Sequence, residues 1–360
     1  MTLACLGDVT LGADVAGGIS REAGARRFWA PVAGADMVLF NLEGPIADTP
    51  PADDRQRFNF RNSSVLPEWL DGRFVVSLAN NHILDGGERG LAATQAGLSA
   101  RGIAWAGAGR NLAEARRPVL REIAGVRVGI LCAADPRFHP AGESSPGTFP
   151  ARECLLRESL EDLRGQADVR IVSIHAGLEF LPAPSPHQVR LAELCLASGA
   201  NLTCFHHAHV CSGVGRDGRR VVLYGIGKYA FPDPSSVIHP RLRRASALRM
   251  NAAVWRVRLD ASGRIHSEVS VSAIARDEEG FPVQASSGET LRLRQHVDRC
   301  SRRLAAAGSL AGWRWREMLR PAYVGLNLDA YRDLARRIGV RAMLRRLAEG
   351  IQAQFGGKGE

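Results

Sequence analysis

Alternation constrains this chain more than any other feature. Short runs rich in Val, Ile and Leu, at 3–6, 37–40, 74–79, 126–134, 169–174 and 202–205, are separated by amphipathic stretches such as 88–100, 152–164 and 188–197. A strand covered on both faces reads as an unbroken apolar run, and strands that alternate with helices belong to a layered α/β fold. From Arg219 to Ile274 the helical patterns drop out, and runs at 221–224, 254–259 and 268–274 predict a β-meander with a turn at 260–263. After about Ser286 helices return, with Leu328, Leu334, Ile338, Leu344 and Ile351 at roughly helical spacing and arginines between them. The expected organisation is an α/β domain over 1–285 followed by a basic helical region over 286–360.

Polar residues fall at one end of these runs. The first ends in Gly7-Asp8, the second in Asn41-Leu42-Glu43, and the third in Asn80-Asn81-His82 with Asp85 three residues on. The run at 169–174 ends in His175, and that at 202–205 ends in His206-His207-Ala208-His209. Open α/β sheets place their active crevice outside the carboxyl ends of the strands, so five distant segments would deliver these groups to one place. Singly, each has a bland reading as turn chemistry or a hydrogen-bonded structural histidine. Together they would be costly to bury without a shared partner, and a metal ion supplies one. Oxygen and imidazole donors without thiolate suit a divalent Mn, Fe, Zn or Ni ion.

Composition removes several alternatives. The chain has 360 residues, 45% hydrophobic and 23% charged, which excludes global disorder. No apolar run is long enough for a spanning helix, and the first is too short for a secretory segment. Seven cysteines, an odd number without a CxxC pair, read as buried thiols in a reducing compartment, so the cytoplasm is the expected location. Cys204 and Cys211, beside the histidine cluster, are expected to pack rather than react. Gly107-Ala108-Gly109 belongs to neither nucleotide-binding glycine pattern, which disfavours a nucleotide fold.

The formal charge of +10 invites a polyanion-binding reading. Its distribution weakens that reading. Residues 286–360 carry 15 Lys+Arg against 7 Asp+Glu, a balance of +8, which leaves +2 for the first 285 residues. Only Lys228 and Lys358 are lysines. The tail is expected to leave its arginines in water or to contact another protein or a polyanion. Sparse aromatics, with Trp313, Trp315 and Tyr323 as the exceptions, disfavour nucleic acid.

GDVTLG at 7–12, FNLEGPI at 40–46, SLANNHILDGG at 77–87, GAGRNLAEARRP at 107–118, HAGLEF at 175–180 and HHAHV at 206–210 occur in one order. Together they resemble the CapA-type poly-γ-glutamate capsule-synthesis family, a branch of the calcineurin-like metallophosphoesterase superfamily. The resemblance covers Leu3 to about Phe231. It implies a four-layer αββα sandwich of the calcineurin-like metallophosphoesterase type, here with a C-terminal helical appendage.

It also implies roles. Asp8, Glu43, Asn81, His175, His207 and His209 are expected to hold one or two divalent ions, with Glu43 bridging. His82 is expected to act as general acid, with Asp85 orienting its ring. Asn80, Arg110 and Lys228 are expected to face an anionic small-molecule or polymer substrate. The activity implied is metal-dependent hydrolysis of a phosphate ester or related anion in capsule synthesis. A non-catalytic, polyanion-binding accessory role is the alternative. Two departures stand out: Thr10 occupies the place of a histidine in the superfamily's Asp-x-His motif, as is common for the CapA-type branch, and Gly227-Lys228-Tyr229 replaces the family's Gly-Asn-Phe.

Overall fold

Two β-sheets lie face to face, and residue parity along each strand decides which core its side chains join. The computed structural model describes residues 1–10, 28–46, 62, 72–179, 182–230, 252–260, 264–276 and 282–307. Its strands are β1 (Thr2–Val9), β2 (Met37–Leu42), β3 (Phe74–Ser77), β4 (Ala104–Ala106), β5 (Ala108–Gly109), β6 (Val119–Ile123), β7 (Val126–Ala134) and β8 (Gly147–Thr148). They continue as β9 (Val169–His175), β10 (Leu202–His206), β11 (Val214–Asp217), β12 (Arg220–Leu223), β13 (Lys228–Ala230), β14 (Ala253–Leu259), β15 (Ile265–Arg276) and β16 (Pro282–Gln284). The helices are α1 (Gly87–Ala100), α2 (Leu112–Ala115), α3 (Glu153–Asp162), α4 (Pro186–Ala197) and α5 (Ser287–Ala307).

The first sheet runs β16-β15-β14-β1-β2-β3-β4, with β13 also paired to β1, and the second runs β11-β12-β10-β9-β7-β6. On β1, Leu3 and Cys5 enter a core shared with Ile130 and Cys132 of β7 and Cys204 of β10. Ala4 and Leu6, one residue out of phase, join Leu91 and Leu98 of α1 on the opposite face. The second sheet repeats the arrangement: Leu131, Val172 and Phe205 cover Leu156 of α3 and Leu191 of α4. Each fully buried aliphatic chain contributes roughly 1.5–3 kcal/mol. The result is the αββα sandwich expected from the resemblance.

The strands that matter for chemistry are parallel. In the first sheet β1, β2, β3 and β4 pair in parallel, as do β7, β9, β10 and β12 in the second. Their carboxyl ends therefore emerge together. The β-meander expected between Arg219 and Ile274 is divided between the sheets: β12 pairs with β10, whereas β14 and β15 pair with β1 and each other. The chain crosses between sheets just before β13. No residue pattern announced β6, which makes a hairpin with β7 through Ala124 and Gly125, both at positive φ.

Helix α5 opens the region expected to be a basic helical appendage packed on the α/β body. Leu293, Val297 and Cys300 are buried along one side, while Arg292, Arg299, Arg302 and Arg303 are exposed. The helix is tied to both sheets. Arg294 Nε donates to Val271 O at 3.0 Å, and Ser301 Oγ accepts from Val214 N at 2.9 Å. Residues 308–360, including the apolar stripe at 328–351 and the tail aromatics, lie outside the described residues, as do Leu11, Gly12, Phe180 and turn residues 261–263.

Candidate metal centre

A row of registered residues crosses the first sheet at its carboxyl edge: Lys228 of β13, Asp8 of β1, Asn41 of β2 and Ser77 of β3. Registered neighbours project their side chains on the same face, so the strand pairing aligns this row. Gly7 makes the pairing possible, because a Cβ there would sit 1.9 Å from Gly227 O. Asn41 Nδ2 donates to Asp8 Oδ1 at 2.8 Å and lies 3.3 Å from His175 Nδ1, linking the two sheets.

The expected donors come together in two linked groups. In the first, Asp8 Oδ2 lies 2.8 Å from His209 Nδ1, and one donor atom each from Asp8, Glu43 and His209 fall within 4.8 Å of one another. In the second, His175 Nε2 sits between Asn81 Oδ1 at 2.9 Å and His207 Nδ1 at 3.1 Å. Asp8, Glu43 and Asn81 come from the first sheet and its loops, and the three histidines from the second. His207 and His209 carry φ values of 79° and 55°, a left-handed backbone that costs a non-glycine residue about 1 kcal/mol or more. Such strain persists where the surroundings hold it in place. Here the two strained residues are the ones that direct imidazoles at the centre.

Burial and charge set the protonation states. Burial would raise the Asp8 carboxyl, but the imidazoles of His206 and His209 outweigh it and hold it well below the usual range. Glu43 goes the other way, raised by burial and then by the charges of Asp8 and Glu179. Its Oε2 has no hydrogen-bond partner among the described residues. Burial lowers His207 to about 4 and His175 well below its usual value, so both imidazoles are neutral near pH 7.

These observations fit a divalent cation. An orphaned carboxylate oxygen, a low-lying aspartate and two neutral imidazole nitrogens at 3.1 Å are groups that a shared positive charge would satisfy together. The mixed oxygen and nitrogen donors accommodate Mn, Fe, Zn or Ni.

The remaining expected residues divide. His82 Nδ1 lies 2.8 Å from Asp85 Oδ2, with the imidazole 15% exposed and the carboxylate buried. Lys228 is half-buried beside Asp8. Asn80, expected to face substrate, is fully buried instead. Its amide donates to Asn41 Oδ1 and Leu42 O, and its oxygen accepts from His82 N. Asn80 thereby locks the ends of β2 and β3 and holds the loop bearing Asn81 and His82. Arg110 is 78% exposed and pairs with Glu114 at 2.7 Å, so its partner is a surface glutamate rather than any member of the cluster.

Several residues were not anticipated. His206 Nδ1 lies 3.3 Å from Asp8 Oδ1, and neither of its ring nitrogens has a hydrogen-bond partner among the described residues. Glu179, the carboxylate of the HAGLEF segment, is exposed, yet its charge reaches Glu43 and His207. Phe138 packs edge-on against His207 at 4.9 Å, and the Arg137 guanidinium lies 5.9 Å above the Phe138 ring. Asp135 grips that guanidinium with both oxygens, at 2.8 and 2.7 Å, and its own N–H donates to His175 O. The signal was available, because Asp135 is the polar residue at the carboxyl end of β7. Farther out, a Ser185–Gln188 capping box starts α4, and Gln188 Nε2 donates to Ala176 O, bracing the loop after His175.

Residues 2–233 match the family model described as bacterial capsule synthesis protein PGA_cap, a span containing every donor described above. The chain belongs to this family. The CapA-type resemblance read from its motifs is therefore met.

Among curated members, the capsule biosynthesis protein CapA of Bacillus anthracis is 26% identical over 245 residues, covering 64% of this chain and 60% of that protein. A Mycobacterium tuberculosis protein described as a probable polyglutamine synthesis accessory protein is 31% identical over 207 residues, 53% of this chain and 54% of its own length. The chain thus spans a little over half the length of these family relatives. A solved 5'-nucleotidase precursor from Thermus thermophilus is 11% identical with a TM-score of 0.43, covering 86% of this chain and 60% of that one. At that score the architecture rests on the strand order and burial given above.

Proposed function

We propose that this family member is a divalent-metal-dependent hydrolase of a phosphate ester or a related anionic substrate, acting in capsule or polyglutamate synthesis. One observation carries the reading: oxygen and imidazole donors from both sheets meet at the carboxyl edge, where the buried Glu43 Oε2 and both ring nitrogens of His206 have no hydrogen-bond partner among the described residues.

Asp8, Glu43 and His209 would hold the cation on one side, and Asn81, His175 and His207 on the other. A divalent ion supplies Lewis acidity toward a phosphoryl or carbonyl oxygen and makes a water acidic enough to attack near neutral pH. His82 is partly exposed and would act as the proton donor to the leaving oxygen, while Asp85 fixes the ring through Nδ1. Arg137, held flat by Asp135 and Phe138, keeps donor capacity for an anionic substrate group at the mouth of the centre. Phe138 shields His207 from water.

Seven free cysteines, six of them buried, support a reducing, cytoplasmic site of action. No helix among the described residues is long and apolar enough to cross a membrane.

The test is elemental analysis of purified protein followed by a phosphoester and γ-glutamyl-amide substrate screen. Stoichiometric metal and turnover are expected, with both lost in Asp8→Ala and His207→Ala. Retention of metal and activity in both variants would overturn the reading. The exposed arginines of α5 favour a second reading, in which the protein binds polyanion without turning it over. That role predicts salt-sensitive binding to poly-γ-glutamate that survives metal removal and His82→Asn.

A further inference from the structure

The outer face of the first sheet turns polar at one end. On β14, Trp255, Val257 and Leu259 enter the core between the sheets, so Arg256 and Arg258 project from the other side. Along most of that outer face the side chains are apolar and buried, as at Ala4, Leu6 and Val254. At the amino end of β1 strand register builds a different surface. Thr2 pairs with Arg258, and Arg256 pairs with Ser270 of β15. These four residues floor a cavity of about 320 Å³, walled by Pro31 and Gly34 from the segment before β2. That volume is at the small end of the range for ligand sites. A Cβ at Gly34 would meet nothing within 4 Å, so this wall leaves the cavity open.

The charge of the cavity is unbalanced. Two residues apart on one strand, the arginines leave the backbone about 6.5 Å from each other and on the same face. Arg256 is half-buried, with Nη2 donating to Pro31 O at 2.5 Å and Nη1 3.5 Å from Ser272 Oγ, both neutral partners. Arg258 is exposed, and its guanidinium has no hydrogen-bond partner among the described residues. Asp36 accepts from Thr2 N at 2.6 Å and forms no ion pair with either arginine. Two guanidinium groups converging without counter-charge repel, and a bound anion relieves both. Two positive charges match a dianion better than a single carboxylate. Each guanidinium can present parallel N–H groups to two phosphoryl oxygens, and the hydroxyls of Thr2 and Ser270 add donors on the same floor.

We infer that this cavity binds a phosphoryl dianion, free phosphate or the phosphate of a small monoester, on Arg256, Arg258, Thr2 and Ser270. The site is separate from the metal centre and does not depend on the metal reading. Asp8 stands six residues beyond Thr2 on β1, about 20 Å of extended strand.

The experiment is isothermal titration calorimetry of the full chain, stripped of metal by chelator and then dialysed free of it, in phosphate-free buffer at about pH 7.5. Inorganic phosphate, glycerol 3-phosphate and acetate are titrated in turn. Wild type is expected to bind one phosphoryl compound per chain, at least tenfold more tightly than acetate. Similar affinities for the first two would identify free phosphate as the ligand, and a tenfold preference for glycerol 3-phosphate would identify a monoester. R258Q is expected to weaken binding at least tenfold, and R258K, which keeps the charge but loses the fork, by less. R110Q removes an exposed arginine held by Glu114 and is expected to leave binding unchanged. No binding by wild type, or acetate bound as tightly as phosphate, would overturn the inference. So would an unchanged affinity in R258Q, or an equal loss in R110Q. None of these outcomes touches the metal reading, because every titration is made without metal.

Discussion

His207 Nδ1 lies 3.1 Å from His175 Nε2, and both rings are buried. Two neutral imidazoles can share one proton at that distance, but two imidazolium ions cannot coexist there. This gives the metal-free protein a defined acid response. The folded pKa of each ring lies below its unfolded value, so the unfolded chain takes up these protons first and stability falls as pH drops below about 6.5. The loss continues toward pH 4, where folded His207 itself titrates. Each imidazole contributes a slope of up to about 1.4 kcal/mol per pH unit. Urea unfolding at several pH values between 7 and 4.5, with chelator present, checks it. A flat profile would contradict the assigned protonation states.

Glu43 pulls in the opposite sense. Its raised folded pKa means that the native state binds this proton first, so the stability it contributes is lost as pH rises above the ordinary carboxylate range. Glu43→Gln should stabilise the chelated protein by roughly 1–3 kcal/mol, the usual cost of an unsatisfied buried group. It should also steepen the acid loss and abolish the rise in Tm on adding metal. Thermal melts with and without manganese distinguish these effects.

His82→Asn should lower kcat by roughly 10²–10⁴ and leave metal content unchanged, because the ring is a proton donor rather than a ligand in this reading. Asp85→Asn should produce a smaller loss through a misoriented ring. Parallel elemental analysis and steady-state kinetics test the separation.

Arg137→Gln should raise KM by roughly 10- to 100-fold, the equivalent of one charge-assisted hydrogen bond of about 1.5–3 kcal/mol, with little change in bound metal. Arg110→Ala should leave KM near its wild-type value, since that side chain is committed to Glu114. Equal effects of the two substitutions would contradict the assignment of Arg137.

Leu293→Ala tests whether α5 belongs to the folded body. Leu293 is 0% exposed against the sandwich, so its truncation should cost about 2–5 kcal/mol in a single cooperative unfolding transition. A change confined to local helix content would make the helix a peripheral attachment.

Much of this site could be read from residue order. Strands covered on both faces give uniform apolar runs, so their ends are visible and so are the polar groups placed there. Asp8, Glu43, Asn81 and the histidines were found in this way, and the structure brings them together. Asn80 could not be separated from Asn81, because adjacent amides look alike until the backbone they satisfy is known. Arg137 escaped because its placement comes from Phe138 beneath it packing on His207, a histidine some seventy residues away that no local pattern connects to this turn. The division of β12 from β14 was equally hidden, since nothing in the composition of the intervening loop says which sheet the next strand joins.

The donor set is split between the two sheets, which meet across a largely apolar core that includes Leu3, Cys5, Ile130 and Cys204. A bound ion would therefore act as a rivet through the sandwich, gripping Asp8, Glu43 and Asn81 on one leaf and three histidines on the other. Ion affinity and the resistance of the leaves to separation become one linked quantity. Substitutions in the apolar seam, such as at Cys5 or Ile130, should then speed metal release although neither residue is a donor.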